Sequence, residues 1–172
     1  MFYKILKNFF LKKNVTKRLQ NQQPELKNHK IKTIGLLVDE TNFSKTASLI
    51  DEILKQGVSR EALNVLVYKD KVKSKEVINE PFASLKNISF SAEITRPEVI
   101  QFLENPFDLL INYYDNNNYA AMLLSINSKA NFKVGFDTVD KRINHFIIKE
   151  LVDNYVQFTS ELFKYLKILN KL

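Results

Sequence analysis

The stretch TIGLLVDETNFSKTASLIDEILKQGVSREALNVLVY, residues 33–68, sets two apolar runs of strand length on either side of one helical repeat. Thr33-Ile-Gly-Leu-Leu-Val38 and Leu63-Asn-Val-Leu-Val-Tyr68 are almost unbroken, the pattern of strands covered on both faces. Between them Phe43, Ala47, Ile50 and Leu54 recur at helical spacing, and Gly57 supplies the left-handed residue that ends a helix. A strand, a helix and a strand with short connections form a βαβ unit, with parallel strands and a right-handed crossover.

Downstream the alternation continues. After a Lys-rich connection comes a short apolar run at Ile88–Phe90. Thr95 with Glu98 reads as a capping box, with Pro97 in the first turn of a helix carrying Val99, Phe102 and Leu103. Residues 107–114 read as a buried strand, and Asp115 can cap a helix of Tyr119, Met122, Leu123 and Ile126. Phe132–Phe136 returns to the sheet, and a last strand is expected near His145–Ile148. From about Asp153 the residues Tyr155, Phe158, Leu162, Tyr165 and Leu169 form a helical stripe, either core packing or a partner-facing seam. The predicted class is α/β, a Rossmann-like, mostly parallel sheet with helices on both faces, in one domain over residues 33–172.

Residues 1–32 read as a basic amphipathic arm and linker. Phe2, Ile5, Leu6 and Phe9 share one helical face, flanked by Tyr3 and Phe10, with Lys4, Lys7 and Asn8 opposite. From Lys12 to Lys32 the pattern dissolves into Lys, Asn and Gln with Pro24, the signature of a fraying helix end and a polar linker. The arm holds nine Lys or Arg against Glu25 alone, +8, whereas residues 33–172 hold 17 basic and 18 acidic residues, −1. Attraction to an anionic partner therefore belongs to the arm, through Lys4, Lys7, Lys12, Lys13, Lys17 and Arg18.

Composition excludes several chemistries. With no cysteine there is no disulfide framework, thiolate nucleophile or Cys-based zinc site, which suits a reducing compartment. His29 and His145 are the only histidines, and neither stands at ligand spacing from a second His or a Glu, so no histidine-based metal centre is expected. No run approaches the roughly 20 apolar residues that span a bilayer, and the charged start is unlike a signal peptide. The expectation is a cytoplasmic protein at the inner face of the cytoplasmic membrane. Glycines Gly35, Gly57 and Gly135 fall in no phosphate-binding pattern, so no cofactor is implied.

In doubly wound sheets ligands bind beyond the carboxyl ends of the strands. Asp39, Asp70, Asp115 and Asp137 stand at such ends, where they could line a cleft, hold Mg²⁺ or act as general base. The same positions favour turns and helix caps. Lys69, Lys71, Lys73 and Lys75 alternate along an extended segment, to bind an anion or to protect a sheet edge. His145 opens a strand and reads as structural.

Residues Phe107-Asp-Leu-Leu-Ile-Asn-Tyr-Tyr-Asp115, Ala130-Asn-Phe-Lys-Val-Gly-Phe-Asp137 and Tyr165-Leu-Lys-Ile-Leu-Asn-Lys-Leu172 resemble a small family of Bacteroidota proteins without assigned activity, over nearly the whole chain. Over residues 33–140 the Phe-Asp-Leu-Leu-Ile run, a helix and Lys-Val-Gly-Phe-Asp are more distantly similar to the N-terminal half of heptosyltransferase-like glycosyltransferases. That likeness implies a Rossmann-like half only. Asp39-Glu40-Thr41-Asn42 replaces the expected glycine-containing loop and no second half follows, so no catalytic residue carries over. The leading expectation is a non-enzymatic accessory protein on an anionic membrane, with Phe2, Ile5, Leu6, Phe9 and Phe10 as its apolar contacts. The alternatives are a metal-dependent or degenerate glycosyltransferase-like enzyme using the acidic cleft, and an RNA- or ribosome-associated factor.

Overall fold

A computed structural model describes residues 2–21, 30–73 and 75–172. The expectations resting on Pro24 and His29 lie outside the described residues. The chain runs α1 (Phe2–Gln20), β1 (Ile34–Asp39), α2 (Thr46–Lys55), β2 (Leu63–Tyr68), β3 (Phe82–Ala83), α3 (Pro97–Glu104), β4 (Leu109–Tyr113), α4 (Tyr119–Asn127), β5 (Phe132–Phe136), β6 (Phe146–Ile148) and α5 (Tyr155–Ile168). The six strands form one parallel sheet in the order β3-β2-β1-β4-β5-β6, the doubly wound order of a Rossmann-like fold. β1, β4 and β5 are buried along their full length, which is why they read as apolar runs rather than as alternating ones.

Helices cover both faces. On one face α4 lies over β4 and β5, and Asn112 donates to Ser125 Oγ at 2.8 Å beneath it. On the other, Tyr113 and Phe136 pack against Phe158 of α5, which in turn packs on α2. Gly35 is demanded by close approach, since a Cβ there would come within 2.7 Å of the Phe107 ring. Gly57 adopts φ +93° and ends α2 as its position required.

Several local expectations are corrected. The short apolar run at Ile88–Phe90, to which the sequence assigns no element, contributes a single antiparallel bridge, Ile88 to Ile94, and the edge strand is Phe82–Ala83, which the sequence does not mark. Thr95 does not cap α3; its hydroxyl donates to the Asn87 carbonyl, and Arg96 holds the N-cap position before Pro97. Asn118, adjacent to the first helical residue, caps α4 in place of Asp115, accepting from the amides of Ala120 and Ala121. In α5 the buried side is Phe158, Thr159, Leu162, Phe163 and Leu166, while Tyr165 and Leu169 are exposed.

The largest difference concerns α1. It does not fray at Lys12 but continues to Gln20, with Lys17 and Arg18 in its last turn favouring the helix dipole. Leu11, Val15 and Leu19, four residues apart, are buried in the main core, and the helix packs along α4.

Candidate functional site

In this strand order the crevice lies between the carboxyl ends of β1 and β4, where the chain winds off in opposite directions. Asp39, the last residue of β1, is buried there. Its Oδ1 accepts from the Thr41 amide at 2.9 Å and its Oδ2 from Asn118 Nδ2 at 2.7 Å. Asn118 therefore straps the crevice while capping α4. Burial holds the Asp39 carboxyl above its ordinary range, against the lowering effect of these hydrogen bonds. Where a nucleotide-binding domain would present glycine amides, the β1–α2 loop inserts Phe43, buried against Tyr113 with ring centroids 5.0 Å apart. A phosphate would meet an aromatic plug and a carboxylate.

Asp70, just beyond β2, is tied to the same network. Its Oδ1 accepts from the Tyr68 hydroxyl at 2.7 Å, and its amide donates to Thr41 Oγ1 at 3.2 Å. Burial first, and then this hydrogen bond to the carboxylate, push the Tyr68 phenol well up, so it stays a donor. The remaining Asp70 oxygen pairs with Lys4 of α1. Asp115 and Asp137 share no hydrogen bond with this pair. Asp115 instead contributes, after burial and Asp153, to raising the Tyr113 hydroxyl, which donates to the Val152 carbonyl at 2.6 Å. Among the described residues no group of three or more His, Cys, Asp or Glu is placed to hold a metal ion.

His145 accepts the Lys133 amide at Nδ1, 2.9 Å, and stacks on Phe132. Burial, with Lys133 and Lys171 nearby, lowers its pKa. Lys71, Lys73 and Lys75 are exposed in a connection without strand structure, whereas Lys69 pairs with Glu76.

The first half of α1 docks inside out. Lys7 is buried, donating to Tyr3 Oη at 2.8 Å beneath the Phe90 ring, and Lys4 pairs with Asp70. The apolar side faces solvent, with Phe2 77%, Ile5 62% and Phe9 63% exposed, and Leu6 and Phe10 each 37%. Lys12, Lys13 and Lys17 continue outward on the following turns, exposed, while Arg18 turns inward to Asn127. Phe90, which the sequence marks only as the end of a short apolar run, packs edge-on against Tyr3 and Phe10 and extends the apolar surface.

No curated protein and no solved structure matches the chain significantly. A family model matches residues 7–169, from the middle of α1 to just past the end of α5, and by that match the chain belongs to the family of unknown function DUF6913.

Proposed function

We propose that this is a non-enzymatic accessory protein that attaches peripherally and reversibly to an anionic membrane through the outer face of α1. The observation that supports the reading is the inverted docking of that helix. Its lysine side is held against the domain by Lys4 and Lys7, and its aromatic and aliphatic side is left in water. An apolar stripe so displayed costs solvation until something covers it. Along the same outer side the apolar tip gives way to Lys12, Lys13 and Lys17, an order that suits a bilayer interface where acyl chains lie beside anionic headgroups. Among the described residues no helix is long and apolar enough to cross a membrane, and the attachment proposed is an interfacial one.

Three exposed lysines at about 1 kcal/mol each give anionic over neutral vesicles a preference on the order of a hundredfold at low salt. Co-sedimentation with phosphatidylcholine vesicles, with and without phosphatidylserine, measures it. Replacing Phe2, Phe9 and Phe10 by Ser is expected to abolish binding although every charge remains. Retained binding by that variant, with RNA competing as well as lipid, would favour polyelectrolyte binding and the nucleic-acid reading.

A further inference from the structure

A second surface feature lies at the same edge of the sheet, beyond the carboxyl ends of β2 and β3. A cavity of about 460 Å³ is lined by Asp70, Lys71, Phe82, Ser84, Lys86, Asn87 and Arg96, together with Val72. That volume is in the range of small-molecule sites, and the cavity lies on the carboxyl side of the sheet, toward its β3 edge from the β1–β4 crevice.

The polar groups around it are unequal in what they have left to offer. Asp70, the lining carboxylate, has both oxygens engaged, by Tyr68 and by Lys4. Asn87 Oδ1 accepts from the Ser84 amide at 2.9 Å and from the Ser84 hydroxyl at 3.0 Å, which fixes the amide so that its NH₂ donors are the atoms without a partner among the described residues. Lys71 and Lys86 have no hydrogen bond or ion pair among the described residues. Arg96 lies 3.8 Å from the Phe82 ring centroid, and its Nε alone is engaged, with Glu98 at 3.3 Å. Its two terminal nitrogens form a fork with a fixed support. The cavity thus offers donors and no free acceptor carboxylate, two unpaired ammonium groups, and one supported guanidinium.

We infer that this cavity binds a phosphomonoester group. Two lysines without a partner among the described residues match a dianion, and a guanidinium held over an aromatic ring suits bidentate contact with phosphate oxygens. The remaining volume takes a small polar body on the ester oxygen. The chemistry is shared by soluble phosphate esters and by a lipid headgroup of the phosphatidic acid type, and the inference does not depend on membrane attachment through α1.

Titration of the full ¹⁵N-labelled chain with glycerol 3-phosphate, followed by amide shifts, tests it. Saturable shifts confined to residues 70–72, 82–87 and Arg96 are expected, unmatched by acetate at equal ionic strength. Lys71→Ala/Lys86→Ala is expected to weaken binding about tenfold or more, and Arg96→Lys to weaken it although the charge is kept. Both lysines are exposed, and unchanged amide dispersion shows that the variants fold. A second arm compares vesicles containing phosphatidic acid with phosphatidylserine vesicles of equal charge. A preference for phosphatidic acid lost in the double lysine variant supports the same cavity with a lipid source. The soluble titration surviving in Phe2→Ser/Phe9→Ser/Phe10→Ser separates the cavity from the α1 reading. Absence of both saturable shifts and headgroup preference overturns the inference, as do shifts unchanged in the double lysine variant.

Discussion

Leu11→Ala, set against Phe9→Ala, tests whether α1 docks by the side the structure shows. Leu11 is 0% exposed and sits between the buried turn of Lys7 and the buried Val15, on the side that packs along α4. Val15 and Leu19 continue the same contact, so the helix has little freedom to sink into the space a truncation leaves. A buried Leu→Ala costs about 2–5 kcal/mol from lost transfer energy and the residual cavity, and about 3 kcal/mol is expected here. For a chain of 172 residues, about 2–4 °C per kcal/mol turns this into a fall of roughly 6–12 °C in Tm. Phe9 is 63% exposed and meets Phe10 edge-on at 5.7 Å between centroids. Its truncation is expected to cost about 0.5 kcal/mol, as at other exposed positions. Paired thermal and urea melts by circular dichroism measure both, with an unchanged m-value as the check that the same transition is compared. If Phe9→Ala proves costlier than Leu11→Ala, the helix docks by its aromatic side, its lysines face water, and the argument for a membrane-facing stripe fails.

Two further outcomes follow from buried charge. Lys133 is buried with its Nζ donating to the Ser125 carbonyl at 2.5 Å, and burial pushes its pKa down to about 8. Between that value and the ordinary 10.5 the unfolded chain binds more protons, so this group makes stability rise with pH across the window. Denaturant melts from about pH 7 to about pH 10 should show that rise in the wild type relative to Lys133→Met; an equal pH dependence in the two would refute it. Mg²⁺ and Mn²⁺ are expected to leave Tm unchanged, because protein groups engage both oxygens of Asp39 and both of Asp70, and no group of three or more possible ligands forms among the described residues. A metal-dependent rise that disappears in Asp39→Asn would restore the acidic cleft as a catalytic centre.

The βαβ unit was legible because a parallel strand buried on both faces has to be apolar throughout, and Gly57 stands where only a left-handed residue ends α2. The same physics makes Phe107–Ile111 resemble strands in many parallel sheets, so a likeness carried by that run points to a strand pattern and to no activity. β3 was not legible, since two residues after Pro81 form no pattern, and their pairing with Val67 and Tyr68 is set by the neighbouring strand. Asp115 lost the α4 cap to Asn118 because capping depends on standing directly before the first helical residue, and three asparagines competed for that place.

The candidate site was harder to read for a related reason. Asp at a strand end is equally suited to a turn, a cap or a ligand, and its type does not reveal whether its oxygens are already satisfied; for Asp39 they are. In α1 the sequence holds two apolar stripes on different sides. Phe2, Ile5, Leu6 and Phe9 form the dense one, while Leu11, Val15 and Leu19 are diluted by lysines. A reading by hydrophobicity assigns the dense stripe to burial or binding and the sparse one to a linker. Packing reverses the weights, because three large side chains repeating every fourth residue suffice to seat a helix on α4. The dense stripe is then surplus to folding. Lys4 on Asp70 and Lys7 beneath Phe90 hold it outward rather than letting it roll inward. A buried ammonium group is a costly way to orient a helix that had an apolar side to offer, and the outward direction of Phe2, Ile5 and Phe9 is the ground on which we propose an apolar partner.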